Sequence, residues 1–276
     1  MMRAALCLLS IAGCSDGTAY IGSHADPGGA AGAGPTEPAL CAVPGSPPPE
    51  LGLDPFYVKH LDARGVPVLS SANVSNDALA RACDVAVHLL EKRDDVRAAM
   101  VQNGMRVAVI AQDEVMTDIP EYRDLADAFP DRDLDRDTRS MGASLQRPVS
   151  SSAEENLLCL ADDLFAGESL LVHSIAHGMR RLGIIPVDPE WDARLSSAYE
   201  SAVERGLWQG TYADRDAEQY WAEGVQDWYD VNVEASPPDG IHNSVNTRAE
   251  LREYDPALAA LIAEYLPDDG WRPRCP

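Results

Sequence analysis

Two histidines four residues apart, His173 and His177, lie in a strongly apolar stretch over residues 168–182. Residues with this spacing project from one face of a helix, and a helix this apolar is expected to be buried. Buried imidazoles need polar partners, so the pair either makes hydrogen bonds inside a core or binds one metal ion. On spacing alone the two interpretations are equally supported. The chain must therefore fold into a domain that buries this helix and accommodates both rings.

Strand patterns are concentrated in the first half of the chain and helical patterns in the second. This distribution predicts an α+β fold with a small sheet and a mainly helical second half. Ser75 is placed to cap the first long helix, and Thr247 with Glu250 forms a capping-box signature for a late one. In chain order, the predicted elements are a helix over 54–64, a strand over 66–70, helices over 75–93 and 94–103, a strand over 106–111, a polar stretch over 112–150 with a solvated loop at its Asp/Arg-rich run over 131–139, an edge strand over 156–160, and helices over 168–182 (ended by Gly183), 188–205, 214–230 and from 247 onwards, with a restart at Asp255.

The first fourteen residues resemble a bacterial lipoprotein signal peptide. A positive start at Arg3 precedes a short apolar run, and small residues precede Cys14, which would carry the lipid. About ten apolar residues are too few to span a bilayer, which needs about 20. Residues 15–50 are rich in Gly, Ala, Pro and Ser, which predicts a flexible tether. We therefore expect a lipid-anchored, extracytoplasmic domain at the cell envelope, with a plain secretory signal as the alternative.

The cysteine count agrees with an exported domain. Two of the six cysteines fall in the leader, and an even number remains, which indicates disulfides with three possible pairings. At least one bridge is expected to tie the chain end at Cys275 back to the domain. The wide spacing is not that of a zinc ribbon. The four cysteines are Cys41, Cys83, Cys159 and Cys275.

The charge balance restricts the partners. The chain has 22 Lys and Arg against 45 Asp and Glu, a net charge of −23. Without a basic excess it cannot replace the counterions of a phosphate backbone, so nucleic acid is excluded as a partner. The same charge argues against docking on anionic lipid, which leaves the N-terminal lipid as the membrane contact. A peptide or protein ligand is the remaining class of macromolecular partner.

Ser174 follows the first histidine directly. Zinc hydrolases of the His-Glu-x-x-His type place a glutamate here, which takes a proton from the metal-bound water. Serine has no basicity near neutral pH, so the position of the expected general base is not filled by a base. Two histidines also leave a third protein ligand to be found.

Several segments together with the histidine pair resemble a group of secreted bacterial and fungal zincin-like proteins, whose active site is similar to that of the anthrax lethal factor peptidase. The likeness extends from about residue 54 to the end, which implies one zincin-like metallopeptidase domain over residues 51–276. The segments that carry it are Leu171–His177, Tyr212-Ala213, Tyr220–Gln226, Gly65–Ser71, Thr117–Pro120, Glu154–Cys159 and Gly240–Arg248.

The resemblance implies a site in which zinc is held by His173, His177 and a third ligand seven residues after a tyrosine. Tyr212 matches that tyrosine and would stabilise an oxyanion. The ligand position is then Gln219, and Glu223 matches a further glutamate four residues later, either as a carboxylate behind the ligands or as one that reaches the metal.

Gln219 is the second departure from the expected pattern, after Ser174. A neutral amide oxygen is a far poorer zinc ligand than a carboxylate, and it removes a charge that would offset the cation. Glu218 is adjacent, but it projects about 100° away around a helix, so it cannot simply substitute. The two positions predict a site with weakened metal affinity and impaired catalysis.

The loop after Pro238 adds His242 and Asn243, which match a Gly-Ile-His-Asn element of the group and are candidate substrate contacts. Aromatic residues that cluster in the same region are predicted to fill the core, with a platform for a glycan or peptide as the alternative. They are Trp208, Tyr220, Trp221, Trp228 and Tyr229.

Three functions stay open on the sequence. The first is a zincin-like domain whose hydrolytic site has decayed, which leaves a binding or scaffold protein on the envelope. The second is an active zinc-dependent peptidase in which Glu223, Glu168 or His242 replaces the lost groups. The third is a non-enzymatic extracytoplasmic binding module in which the histidines belong to the core.

Overall fold

A five-stranded mixed sheet organises the computed structural model of the protein, which describes residues 40–273. The strand order is β1-β2-β3-β5-β4. The three inner strands are parallel, and an antiparallel strand closes each edge. The predicted strands over 66–70 and 106–111 are confirmed. The strands are β1 Lys59–Ala63, β2 Val66–Ser70, β3 Arg106–Ile110, β4 Ser140–Met141 and β5 Val149–Ala153.

Strand β1 shows that the helix predicted over 54–64 is wrong. Leu61 and Ala63 are buried while Asp62 between them is exposed, the alternation of a strand. Arg64 and Gly65 both have positive φ and form the tight turn into β2, where the Asp62 carboxylate accepts a hydrogen bond from the Gly65 amide at 2.9 Å. Pairing with β2 thus overrides the weak helical spacing of this segment.

The predicted edge strand over 156–160 is also wrong. The strand lies at Val149–Ala153, and the edge position is taken by β4. Strand β5 carries three fully buried serines, Ser150 to Ser152, so it lacks the apolar run by which a buried strand is recognised. The Ser150 hydroxyl donates to the Ser174 carbonyl at 2.7 Å and thereby fixes the histidine helix to the sheet.

Helices account for most of the second half, so the predicted α+β class is confirmed. The helices predicted over 94–103 and 188–205 are present, and the capping box at Thr247 and Glu250 is formed. The helices among residues 40–273 are α1 Asn76–Leu89, α2 Asp94–Gln102, α3 Leu125–Ala128, α4 Leu134–Asp137, α5 Glu154–Leu157, α6 Leu170–Gly178, α7 Ile185–Val187, α8 Pro189–Glu204, α9 Ala217–Trp228, α10 Arg248–Tyr254 and α11 Pro256–Tyr265.

The two faces of the sheet are covered differently. Helices α1 and α6 pack on one face, and the large core there continues into α9 and α11. The other face is covered by the segment over 112–138, of which the sequence indicated only the polar composition. The Asp/Arg-rich run over 131–139 is largely exposed, as expected, but it includes the short helix α4, which buries Leu134. The short helical turns of the whole segment bury apolar side chains that its polar composition obscures. The buried side chains are Met116, Ile119, Tyr122, Leu125 and Leu134.

Helix α6 continues into a π-helical turn over Met179–Ile184, so Gly183 does not end it as predicted. Gly183 instead allows α2 to approach closely, since a Cβ at this position would lie 2.6 Å from Val96 Cγ1. On the other side, the Trp221 indole of α9 donates to the Ala176 carbonyl at 2.8 Å. Helix α6 is therefore held between β5 and α9, and its π-helical continuation packs on α2.

The chain is fixed to the domain before residue 51. Cys41 is bonded to Cys83 of α1, and Gly45 pairs with His60 of β1. Cys159 is also disulfide-bonded. The predicted lipidation site Cys14 and the chain-end Cys275 lie outside the described residues. Within the part that is described, every helix is too short or too polar to cross a bilayer.

Gly142, directly after β4, gives a test of this packing. A Cβ here would lie 2.4 Å from His177 Cβ, so we expect Gly142→Ala to lower the free energy of unfolding by about 1–3 kcal/mol. Gly45→Ala is the control, because no atom lies within 4 Å of its added Cβ. Urea denaturation followed by circular dichroism measures both, and equal stability of the two variants would contradict this close approach.

Candidate functional site

The two histidines project from α6 into one cleft, with their Nε2 atoms 3.0 Å apart. Ser169 caps the helix by accepting a hydrogen bond from the Val172 amide. His177 is buried and His173 is largely buried, with side-chain exposures of 9% and 16%. The apolar stretch thus forms the buried helix that its spacing predicts, and the rings converge rather than diverge.

His173 is held from behind by two side chains of α9. Its Nδ1 lies 2.8 Å from Gln226 Oε1 and 3.2 Å from Glu223 Oε1. The Gln226 amide nitrogen donates to the Ser169 carbonyl at 3.3 Å, so the amide oxygen is the atom that faces the ring. Both neighbours are acceptors, which requires a proton on Nδ1 of His173.

His177 is held in the same way by Glu218. Its Nδ1 lies 2.9 Å from Glu218 Oε1, and the same carboxylate receives a bidentate pair of hydrogen bonds from the Arg181 guanidinium. Nδ1 of His177 is therefore protonated as well. With both Nδ1–H groups donating outward, the two Nε2 lone pairs face each other across 3.0 Å.

Such an arrangement favours a positive charge between the nitrogens, either a proton or a metal ion. Gln219 Oε1 lies 3.2 Å from His173 Nε2. Ligands about 2.0–2.1 Å from a tetrahedral zinc are about 3.3 Å from one another, so the spacing of these atoms suits a single ion. However, no group of three or more His, Cys, Asp or Glu side chains is placed to hold a metal among residues 40–273. Any metal here would rest on two imidazoles and an amide.

The two imidazoles differ in their electrostatic surroundings. Burial lowers the pKa of His173, but the hydrogen bond and charge of Glu223 outweigh it, so the pKa is raised. Burial also lowers the pKa of His177, and there it prevails over Glu218, with the neighbouring His173 adding to the decrease.

The start of α9 positions the residues that face the histidines. Asp216 caps this helix, and its carboxylate accepts from the Glu218 and Gln219 amides at 3.0 and 2.9 Å. As the helical geometry predicts, the two neighbouring side chains diverge, because Gln219 reaches Nε2 of His173 while Glu218 reaches Nδ1 of His177. Of these two side chains only Glu218 is a carboxylate, and it lies on the outer side of the His177 ring, at Nδ1.

The predicted catalytic and metal positions line a single cleft of about 360 Å³. The Ser174 hydroxyl is buried at its wall and has no hydrogen-bond partner among residues 40–273. The Tyr212 ring lies 6.3 Å from the His173 ring, and its hydroxyl accepts from Arg215 at 3.1 Å. The predicted residues that line the cleft are His173, Ser174, His177, Tyr212, Gln219 and Glu223.

His242 and Asn243 lie beside the cleft and not in it. Both border a small neighbouring cavity that also contacts Glu223. His242 lies 3.4 Å from the Asp239 carboxylate and 3.9 Å from that of Glu168. The residue of this loop that does line the cleft is Ile241, and Glu168 lines it from the opposite loop. The clustered aromatic residues Trp208, Tyr220, Trp221, Trp228 and Tyr229 are buried in the core.

Sequence reasoning missed a buried acid behind the histidines. Asp227 is fully buried, its Oδ1 accepts from Asn232 at 2.9 Å, and its Oδ2 has no partner in the described part of the chain. The same Asn232 amide group donates to Glu223 at 3.2 Å. Burial raises the pKa of Asp227 well above its ordinary value, and the charge of Glu223 adds to the increase. An acidic residue four positions after Glu223, on the same face of a buried helix, is the signal that could have found it.

Comparison with known proteins leaves the family open. No protein-family model and no curated protein matches the chain. Among solved structures, a Pro-Pro endopeptidase, PPEP-2 from Paenibacillus alvei, aligns with a TM-score of 0.42 and 12% sequence identity. The alignment covers 67% of this chain and 90% of that chain. This TM-score is below the range in which two chains are taken to share a fold. The description of the site therefore rests on the contacts within this chain alone.

Asp227 predicts a pH dependence of stability. Because the pKa of Asp227 is raised in the folded chain, stability falls as the pH rises from the ordinary titration range of aspartate toward the raised pKa, with a limiting slope of about 1.4 kcal/mol per pH unit. We expect Asp227→Asn to remove this contribution. As the pH rises above about 5, its free energy of unfolding should decline less than that of the wild type.

Urea denaturation at several pH values measures the difference. Glu253→Gln, at an exposed position of α10, is the control and should follow the wild type. A wild type and an Asp227→Asn variant with the same pH dependence would show that Asp227 is ionised in the folded protein.

Proposed function

We propose that this chain is a zincin-like domain that has kept a two-histidine metal site and lost the groups needed for efficient hydrolysis, and that it acts as a binding domain at the cell envelope. The observation that carries the proposal is the facing pair of Nε2 atoms, 3.0 Å apart, with both Nδ1 atoms engaged by acceptors. Acceptors behind the ligands are the arrangement that metal-binding histidines typically have.

His173 and His177 would hold the ion, with Gln219 Oε1 as a third, neutral oxygen donor. A zinc ion bound there supplies a Lewis acid and lowers the pKa of a bound water to about 7. Neither imidazole nor amide offsets the charge of the ion, so we expect weaker affinity than for a site with a carboxylate ligand.

The proposal of impaired catalysis rests on what the remaining carboxylates do. Glu223 faces Nδ1 of His173 and Asn232, so it lies behind the ring and not on the Nε2 side. Glu218 is bound to His177 Nδ1 and Arg181. Ser174 has no basicity to offer. Glu223 and Glu218 therefore orient the histidines, and none of the three residues supplies a general base.

An extended peptide is the ligand class that suits the cleft. Its wall includes Met141 and Gly142 at the end of edge strand β4, and the apolar Leu170 and Ile241 line it together with polar side chains. An edge strand offers unpaired backbone groups to which a peptide can add. A location outside the cytoplasm, on a lipidated Cys14 and a tether, agrees with the disulfide between Cys41 and Cys83.

An active hydrolase is the second candidate, and one observation favours it. Glu168 lines the cleft together with both histidines, so it is a carboxylate that could replace the base at Ser174. Zinc-dependent cleavage of a peptide that is lost in Glu168→Gln would establish this candidate and contradict impaired catalysis.

Zinc binding gives the direct test of the metal site. Calorimetric titration of chelator-stripped protein should give one zinc per chain, lost in His177→Ala and unchanged in the control His60→Ala on strand β1. Gln219→Glu adds an anionic ligand beside the ion and should tighten binding at least about tenfold, about 1.4 kcal/mol. Absence of binding in the wild type would favour the third candidate, a module in which the histidines belong to the core.

Restoring the two altered positions tests the catalytic part. We expect the wild type with zinc to cleave an unstructured casein substrate very slowly or not at all, and Ser174→Glu with Gln219→Glu to gain zinc-dependent cleavage, because a base and an anionic ligand are restored. The same double variant with His173→Ala is the control. Efficient cleavage by the wild type would overturn the proposal.

A further inference from the structure

Glu218 is one of the acceptors behind the two histidines, and its own contacts define its role further. It occupies the position beside the expected third ligand, yet its carboxylate lies on the outer side of His177, 2.9 Å from Nδ1. Nδ1 is the nitrogen opposite to the one that faces the cleft. A side chain at this place cannot share a metal with His177, but it can decide which ring nitrogen carries the proton.

Arg181 holds that carboxylate in place. Its Nε donates to Glu218 Oε1 at 2.5 Å and its Nη2 donates to Oε2, which is the bidentate geometry of guanidinium and carboxylate. Arg181 lies four residues after His177, so both follow one side of the α6 helix and its π-helical continuation. A second guanidinium is also near, because Nη1 of Arg180 lies 3.8 Å from Glu218 Oε2.

The backbone at Glu218 is fixed as well, because its amide donates to the capping carboxylate of Asp216 at 3.0 Å. The side chain is thus held at its base by the helix cap and at its tip by Arg181. A side chain that is already held at its base and its tip loses little further conformational entropy when its carboxylate accepts the Nδ1–H of His177.

We propose that Glu218 is the positioning residue of His177 and that Arg181 keeps it in this role. Glu218 fixes the Nδ1–H tautomer of His177, which turns the Nε2 lone pair toward His173 and the cleft. The carboxylate beside the lost ligand position then serves to prepare the second histidine instead of binding the ion. The inference rests on the proposed function in one respect, that His177 is a metal ligand.

The first test needs no metal. Two-bond ¹H–¹⁵N correlation spectra of the full chain with ¹⁵N-labelled histidine report which nitrogen of His177 is protonated. We expect the Nδ1–H tautomer in the wild type and in Glu218→Gln, whose amide oxygen still accepts. In Glu218→Ala the ring should change to the Nε2–H tautomer, which is favoured in free histidine. An unchanged tautomer in Glu218→Ala would overturn the proposal.

The second test measures zinc affinity. Loss of a group that orients a metal ligand typically weakens binding about tenfold to a hundredfold, and we expect this of Glu218→Ala. Arg181→Ala keeps the Glu218 carboxylate as an acceptor but no longer holds it in place. We therefore expect a smaller loss of zinc affinity than in Glu218→Ala. Glu264→Ala is the matched control, because Glu264 of α11 makes a bidentate pair with Arg194 of α8 at 2.7 and 2.9 Å, and neither residue lines the cleft. Its zinc affinity should equal that of the wild type.

The two tests separate the claims. If the wild type binds no zinc but the His177 tautomer changes in Glu218→Ala, the positioning role is supported and the proposed metal site is contradicted. If the wild type and Glu218→Ala bind zinc equally well and have the same melting temperature, the positioning role is contradicted and the proposed metal site is retained.

Discussion

The organisation of this site depends on hydrogen bonds that point away from it. Each histidine donates its Nδ1–H outward, His173 to Gln226 and Glu223, His177 to Glu218. Both Nε2 lone pairs consequently face the same point, where a positive charge is required. The acceptors determine the chemistry of the pair, because a reversed tautomer of either ring would place a donor in the cleft and remove a ligand.

The fold supplies these acceptors from one helix. Helix α9 carries Glu218, Glu223 and Gln226, and the Trp221 indole fixes it to α6 by a hydrogen bond to the Ala176 carbonyl. On the other side, Ser150 of β5 fixes α6 through the Ser174 carbonyl. The histidines therefore lie on a helix that is held on both sides, which keeps the rings at a spacing suited to one ion without a metal being needed to assemble them.

The sequence allowed the elements that carry the site to be predicted, and the contacts between them only in part. Spacing placed His173 and His177 on one face of a buried helix, and resemblance pointed to Tyr212, Gln219 and Glu223, all of which line the cleft. The contact between Glu218 and Arg181 joins two helices 37 positions apart, so periodicity carries no signal for it. The buried serines of β5 show the same limit, since hydrogen bonds to a neighbouring helix replace the apolar character expected of an inner strand.

X-ray absorption at the zinc edge of the zinc-loaded wild type tests the central claim most directly, because it counts the imidazoles around the ion. The outward hydrogen bonds predict two imidazole nitrogens at about 2.0–2.1 Å, with oxygen donors completing the coordination. Zinc without imidazole scattering would show that the rings are core histidines. Three imidazoles would show that another histidine enters the site, and either result would contradict this account.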